Sequence, residues 1–198
     1  YLCFTHDLND STSISDNFID CIFEDSDGVL WIGTLNGGLN RYHRETRSFS
    51  RYLHDPADSL SLSNNTVNVI AEGRDGILWI GTINGLNAFD REKGTFIRYF
   101  HDPADSLTLN NSNAGCVFVD SKGAIWIGTN SGLNVISPET KTIRRIADRN
   151  KATSALNQNI IDIVEGENGI LWMSTWGGGL RKFDTKTESF EVFLHNPD

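Results

Sequence analysis

The chain has 198 residues, 38% of them hydrophobic, and 26 acidic against 17 basic side chains give a formal net charge of −9. That charge disfavours a nucleic-acid phosphate backbone or an anionic membrane surface as a partner, and no apolar run approaches a membrane span in length. Three cysteines without metal-ligand spacing exclude a disulfide scaffold and a zinc module, so neither metal nor other cofactor is expected.

In chain order, residues 1–17 align without gaps on 49–65, Tyr1 on Phe49 and His6-Asp7 on His54-Asp55. Residues 1–8 are therefore expected to be the outer strand and turn of a preceding unit. Residues 28–34 read GVLWIGT, 76–82 GILWIGT, 123–129 GAIWIGT and 169–175 GILWMST, which sets Trp31, Trp79, Trp126 and Trp172 at intervals of 48, 47 and 46. A fixed period in the upper forties marks a repeat architecture. Before each tryptophan stands a short apolar run, at 19–23, 67–71, 114–118 and 161–164. After each comes Gly-Leu with a third run, as in 85–89, and then a fourth, at 49–53, 96–100, 143–147 and 190–194.

The runs are four to six residues long, β-branched or aromatic, and bounded by turn residues, which is the strand signal. Asp27-Gly28, Asp75-Gly76, Lys122-Gly123 and Asn168-Gly169 supply hairpin turns between the first two runs. Four strands, a to d, in every period predict an all-β fold: a β-propeller of four consecutive four-stranded antiparallel blades, at 13–54, 61–101, 108–148 and 155–195. The four repeated tryptophans are expected to pack between blade faces as core. The whole reads as one propeller segment, cut from a longer array. Two apolar end faces would then seek cover, from neighbouring blades or domains of the parent chain, by closure as a four-bladed ring, or by pairing into a homodimer.

The pattern running from Asp25 to His43 and from Gly73 to Asp90, with weaker copies from Asp120 and Gly166, resembles the two-component regulator propeller repeat. His-Asp-Pro-Ala-Asp-Ser-Leu at 54–60 and 101–107 is similar to that family's blade-to-blade linker. The resemblance implies a periplasmic sensor region of an inner-membrane hybrid two-component histidine kinase and response regulator of the Bacteroides type, which senses glycans. It places the kinase and the phosphorelay in other domains of the parent chain. The third repeat departs at Val135-Ile136-Ser137 and lacks the His-Asp-Pro linker, and the fourth reads Trp-Met-Ser-Thr.

No nucleophile elbow, P-loop, dinucleotide fingerprint or metalloprotease motif is present, and the carboxylates form no distinctive pair, so this segment is not expected to be an enzyme. Asp25-Ser26-Asp27-Gly28 looks like the opening of a calcium loop, but the same slot carries Arg74 and Lys122 in other repeats, which reads as a hairpin turn. Cys3, Cys21 and Cys116 fall in strand runs and read as buried, inert thiols. The d–a linkers and b–c loops share one face, and loops of that kind carry binding residues. The candidates there are His54, Asp55, His101 and Asp102 in the linkers, Asn65 and Asn159 before strand a, and Asn84 and Trp176 in the b–c loops. Strand a adds a recurrent polar slot at Asp20, Asn68, Gly115 and Asp162, which satisfies backbone groups or forms a polar ring. The linker residues act as stiffened, capped turns or as sugar contacts. Trp176 stands in a loop that reads as otherwise small and polar; it stacks on a sugar, docks another domain or covers the local core. The expected ligand is an oligosaccharide, and the competing function is a scaffold that docks a neighbouring domain.

Overall fold

The computed structural model describes residues 2–149 and 158–195. The chain forms two compact units, one ending at Tyr99 and the other beginning at Phe100. The first unit holds β1 (Ile19–Glu24), β2 (Leu30–Thr34), β3 (Leu39–His43) and β4 (Ser48–Tyr52), then β5 (Val67–Glu72), β6 (Leu78–Thr82), β7 (Gly85–Asp90) and β8 (Thr95–Tyr99). The second holds β9 (Ala114–Val119), β10 (Ile125–Thr129), β11 (Gly132–Ile136) and β12 (Ile143–Ile146), then β13 (Ile160–Glu165), β14 (Ile170–Thr175), β15 (Leu180–Asp184) and β16 (Ser189–Phe193). Each set of four is an antiparallel sheet whose strands lie in chain order, which is the build of a propeller blade. Among the described residues no helix is long and apolar enough to cross a membrane.

Within each unit one sheet packs on the next through its tryptophan. Trp31 is buried among Leu39, Leu78, Ile80 and Phe89, its ring 5.5 Å edge-on from Phe89. Trp126 is buried with Leu171, Met173 and Phe183, 5.8 Å from the Phe183 ring. Trp79 is also buried, whereas Trp172 is half-buried, between the Phe193 ring at 5.8 Å and the Lys182 ammonium at 6.0 Å. The glycine two residues after Trp31, and the one two residues after Trp126, let the following sheet approach. A Cβ on Gly33 would stand 2.6 Å from Val67 Cγ1, and one on Gly128 2.7 Å from Ile160 Cγ2.

Strand a opens on a β-bulge in every sheet, between Ile19 and Cys21, Val67 and Val69, Ala114 and Cys116, and Ile160 and Asp162. The extra residues are Asp20, Asn68, Gly115 and Ile161. This corrects the expected polar slot, because Asp162 pairs with Ser174 as Cys21 pairs with Gly33 and Cys116 with Gly128. Residues 2–7 form no strand, since a strand exists only as half of a ladder and no described strand pairs with them. Phe4 instead sets its ring 5.2 Å from Tyr42 and 5.3 Å from Phe49. Cys3 is accordingly exposed and outside any strand, while burial pushes the Cys21 and Cys116 thiols up to about 12.

Candidate functional site

The linkers are built from their own side chains. His54 Nδ1 donates to the Leu62 carbonyl at 2.8 Å and His101 Nδ1 to that of Leu109 at 2.7 Å. The His54 amide donates to Asn65 Oδ1 at 2.7 Å and the His101 amide to Ser112 Oγ at 3.0 Å. Asp55 and Asp102 each accept from the amide two residues on, Ala57 and Ala104, at 2.8 Å. These are capped turns, and both carboxylates still face solvent.

Two further sets of residues, not singled out from the sequence, fasten the linkers. Arg51, Arg98 and Arg145 recur every 47 residues in strand d. Arg98 Nε donates to the Ser61 carbonyl at 2.6 Å and Arg145 Nε to that of Thr108 at 2.8 Å. Asn40, Asn87 and Asn134 recur at the same interval on strand c and are fully buried. Asn87 accepts from the Ser63 amide at 2.9 Å and donates to the Ile80 carbonyl at 3.1 Å. A polar residue periodic inside an apolar strand was the available signal for both sets.

Asn40 pairs across the sheet with Arg51, Asn87 with Arg98 and Asn134 with Arg145. In the fourth sheet the pair is Arg181 with Val192. The Arg181 side chain is almost wholly buried and meets Asp148 Oδ2 at 3.4 Å, Asp148 standing at the His101 slot one repeat later.

Three of the four b–c loops share one device. The amides of Leu35, Ile83 and Trp176 donate to the carbonyls of Phe18, Thr66 and Asn159, at 3.0, 3.3 and 2.9 Å. Trp176 therefore occupies a slot that is apolar and outward-facing in two other repeats, rather than a small polar one, and it is the most exposed of the three at 69%. Asn159 is the counterpart of Thr66, one position beyond Asn65, because the last period is one residue shorter. Gly177 and Gly179 flank the loop at φ +79° and +78°, a left-handed backbone open to glycine. An open hollow beside it is lined by Thr175, Gly179, Leu180, Leu194 and His195. Asn84 is exposed at the tip of its own loop, its amide donating to Thr82 Oγ1 at 3.2 Å. His54, Asp55, Asn65 and Asn84 thus belong to the first unit, and His101, Asp102, Asn159 and Trp176 to the second. The structure joins His54 to Asn65 and Trp176 to Asn159 by hydrogen bonds.

On the turn side, the Asp25 carboxylate is wholly buried and holds an arginine. It accepts from the amides of Asp27 and Val29, from Trp31 Nε1 at 2.8 Å and from Arg91 Nη1 at 2.5 Å. Arg91 also reaches Glu72 at 2.9 Å. Burial by itself raises the Asp25 carboxyl, but the bonds from Trp31, Val29 and Arg91 together with the Arg91 charge hold it below the ordinary carboxylate value. The acidic turn is a joint between two sheets: Ser26 N and Oγ also donate to Glu72, at 2.7 and 2.9 Å.

The fold is a β-propeller segment. Its repeats at 13–36, 61–84 and 108–131 match the family model "Two component regulator propeller". Three of its four repeats thus carry the two-component regulator propeller pattern. It is similar to the extracellular domain of the putative hybrid two component system BT3049 from B. thetaiotaomicron, with 26% identity, a TM-score of 0.77, and 94% of this chain and 25% of that one covered. The extracellular domain of the putative hybrid two component system BT4673 from the same organism matches at 25% identity and a TM-score of 0.73, over 98% of this chain and 26% of the other. The chain thus spans about a quarter of the length of these domains. The structure of U3-55K, at 12% identity and a TM-score of 0.63, shares the fold alone. No curated protein matches the chain in sequence.

Proposed function

We propose that the chain is a segment of a periplasmic sensor propeller that recognises a glycan on its linker and b–c loop face and relays binding to a downstream kinase. Support for the sensor role comes from the repeats and from the similarity to extracellular domains of hybrid two-component systems. The glycan reading rests on Trp176, a large ring held in water by a glycine loop when burial is the ordinary fate of such a surface. A ligand that binds one arrangement of the propeller more tightly than another shifts the population of a coupled signalling element.

Calorimetric titration with oligosaccharides tests this: saturable binding is expected, weakened at least tenfold by Trp176→Ala. An unchanged affinity in that variant removes Trp176 from the site. A second reading, a scaffold that docks a neighbouring domain, is favoured by Leu180 and Phe193 in the fourth sheet and Leu194 just beyond it, all more than two-fifths exposed. Failure of a broad glycan screen, with binding of a parent-chain domain, would select it.

A further inference from the structure

A cavity of about 340 Å³ opens on the turn side of the second unit, lined by Asp120, Lys122, Trp126, Pro138, Glu139 and Arg144 among others. In the first unit the hollow on the corresponding turn reaches Val29, Arg41 and His43 but neither Asp25 nor Trp31. Several wall residues differ, Val135, Ser137 and Pro138 standing where the first unit has Arg41, His43 and Arg44, and so does the partner of the buried carboxylate. Arg91 lies on Asp25, whereas the residue at its slot in the fourth repeat is Thr185, whose Oγ1 donates to the Gly169 carbonyl at 2.8 Å.

A carboxylate offers about four acceptor positions. Asp25 fills four, with two amides, the Trp31 indole and Arg91. Asp120 fills three: the amides of Lys122 and Ala124 and the Trp126 indole, each at 2.9 Å. It is a buried residue, 8% exposed, and it lines the cavity. A donor is therefore wanted where the first unit supplies a guanidinium.

The surrounding charges say which kind. The acidic slots of Asp27 and Glu92 carry Lys122 and Lys186 in the second unit, which disfavours a further cation. The lining holds two carboxylates, Asp120 and Glu139, two cations, Lys122 and Arg144, and the hydroxyls of Ser137 and Thr142, beside apolar Trp126, Val135 and Pro138. Groups that both donate and accept, on a framework with an apolar face, suit such a wall.

We propose that this cavity is a binding site for a neutral, hydroxyl-rich ligand of about one sugar ring, held by a hydroxyl donating to Asp120. It shares the ligand class of the function proposed above and rests on that reading for its biological sense, but not for its location.

Indole ¹⁵N–¹H spectra of the protein, titrated separately with D-glucose, D-galactose and D-xylose, test it, because Trp126 and Trp176 report separately. At least one sugar is expected to move the Trp126 signal saturably. Thr185→Arg, which returns the guanidinium, and Ala124→Leu, which fills the space without charge, should each abolish that shift, and Trp176→Ala should leave it. Movement of Trp176 with Trp126 unmoved overturns the cavity site and leaves the loop site standing. Movement of Trp126 by arginine and by none of the sugars overturns the neutral ligand. Saturable movement of Trp126 that persists in both filled variants also overturns the site.

Discussion

Replacing Arg91 with alanine isolates the joint between the first two sheets. The side chains of Asp25, Glu72 and Arg91 are 0%, 13% and 20% exposed. Removing one partner of a buried ion pair costs about 3–5 kcal/mol, because the remaining charge stays buried. Asp25 would keep three donors, and Arg91 is one-fifth exposed, so about 2 kcal/mol is expected here. The molecule carries its own control. Arg44 stands at the same slot one repeat earlier and meets Glu24 at 2.9 Å, with both side chains more than half exposed. Such a pair is worth only about 0.3 kcal/mol, so Arg44→Ala should be nearly silent. Urea unfolding followed by indole fluorescence reads both variants, and for Arg91→Ala the reporter sits at the joint itself, since Trp31 donates to Asp25. The pH dependence supplies a second readout. A carboxyl held low in the fold stabilises it above the unfolded pKa of about 4, and the contribution is lost as pH falls through the folded value. The gap between wild type and Arg91→Ala should therefore close below about pH 4. Equal costs for the two arginines, or a gap that persists in acid, would refute the buried joint.

Gly128→Ala should cost about 2 kcal/mol by overpacking, since its Cβ would stand 2.4 Å from Cys116 Sγ and 2.7 Å from Ile160 Cγ2. Gly177→Ala, with nothing within 4 Å, meets only left-handed strain of about 1 kcal/mol, and thermal melts showing the reverse order would contradict the close approach of the sheets. Arg181→Ala should cost about 3 kcal/mol by leaving the buried Asp148 without its guanidinium. Adding Asp148→Ala should recover part of that loss, and strictly additive costs would show that the two do not act as a pair.

How legible the fold was depended on whether a residue's reason was local. Trp31, Gly33 and the Asp25 turn each act within a few residues or one sheet of themselves, so they recur as text and the blades could be read from them. The bulge could not. It adds one residue to strand a and inverts the facing of everything before it, and only the ladder of Asp162 with Ser174 shows that Ile161, not Asp162, follows Gly115. The same shortened last period misplaced Asn159. Trp176 looked anomalous because the loops were compared for polarity; its amide bond to Asn159 shows that it stands where Leu35 and Ile83 do.

The site was less legible than the fold because it lies where the third and fourth repeats depart from the first two, and a departure has no period to reveal it. Two cationic positions are lost there and one is gained. The Arg145 slot becomes Val192, the Asn134 slot becomes Arg181, and the Arg91 slot becomes Thr185. The first two changes compensate each other: a guanidinium lost from strand d returns one strand inward, on the residue paired with Val192, and meets Asp148. The third has no such partner, since the side chain of Thr185 turns to its own hairpin and Asp120 faces a cavity. The opening beside Asp120 therefore goes with two acid-to-lysine reversals, at Lys122 and Lys186, so that its charge differs from the first unit's as well as its space.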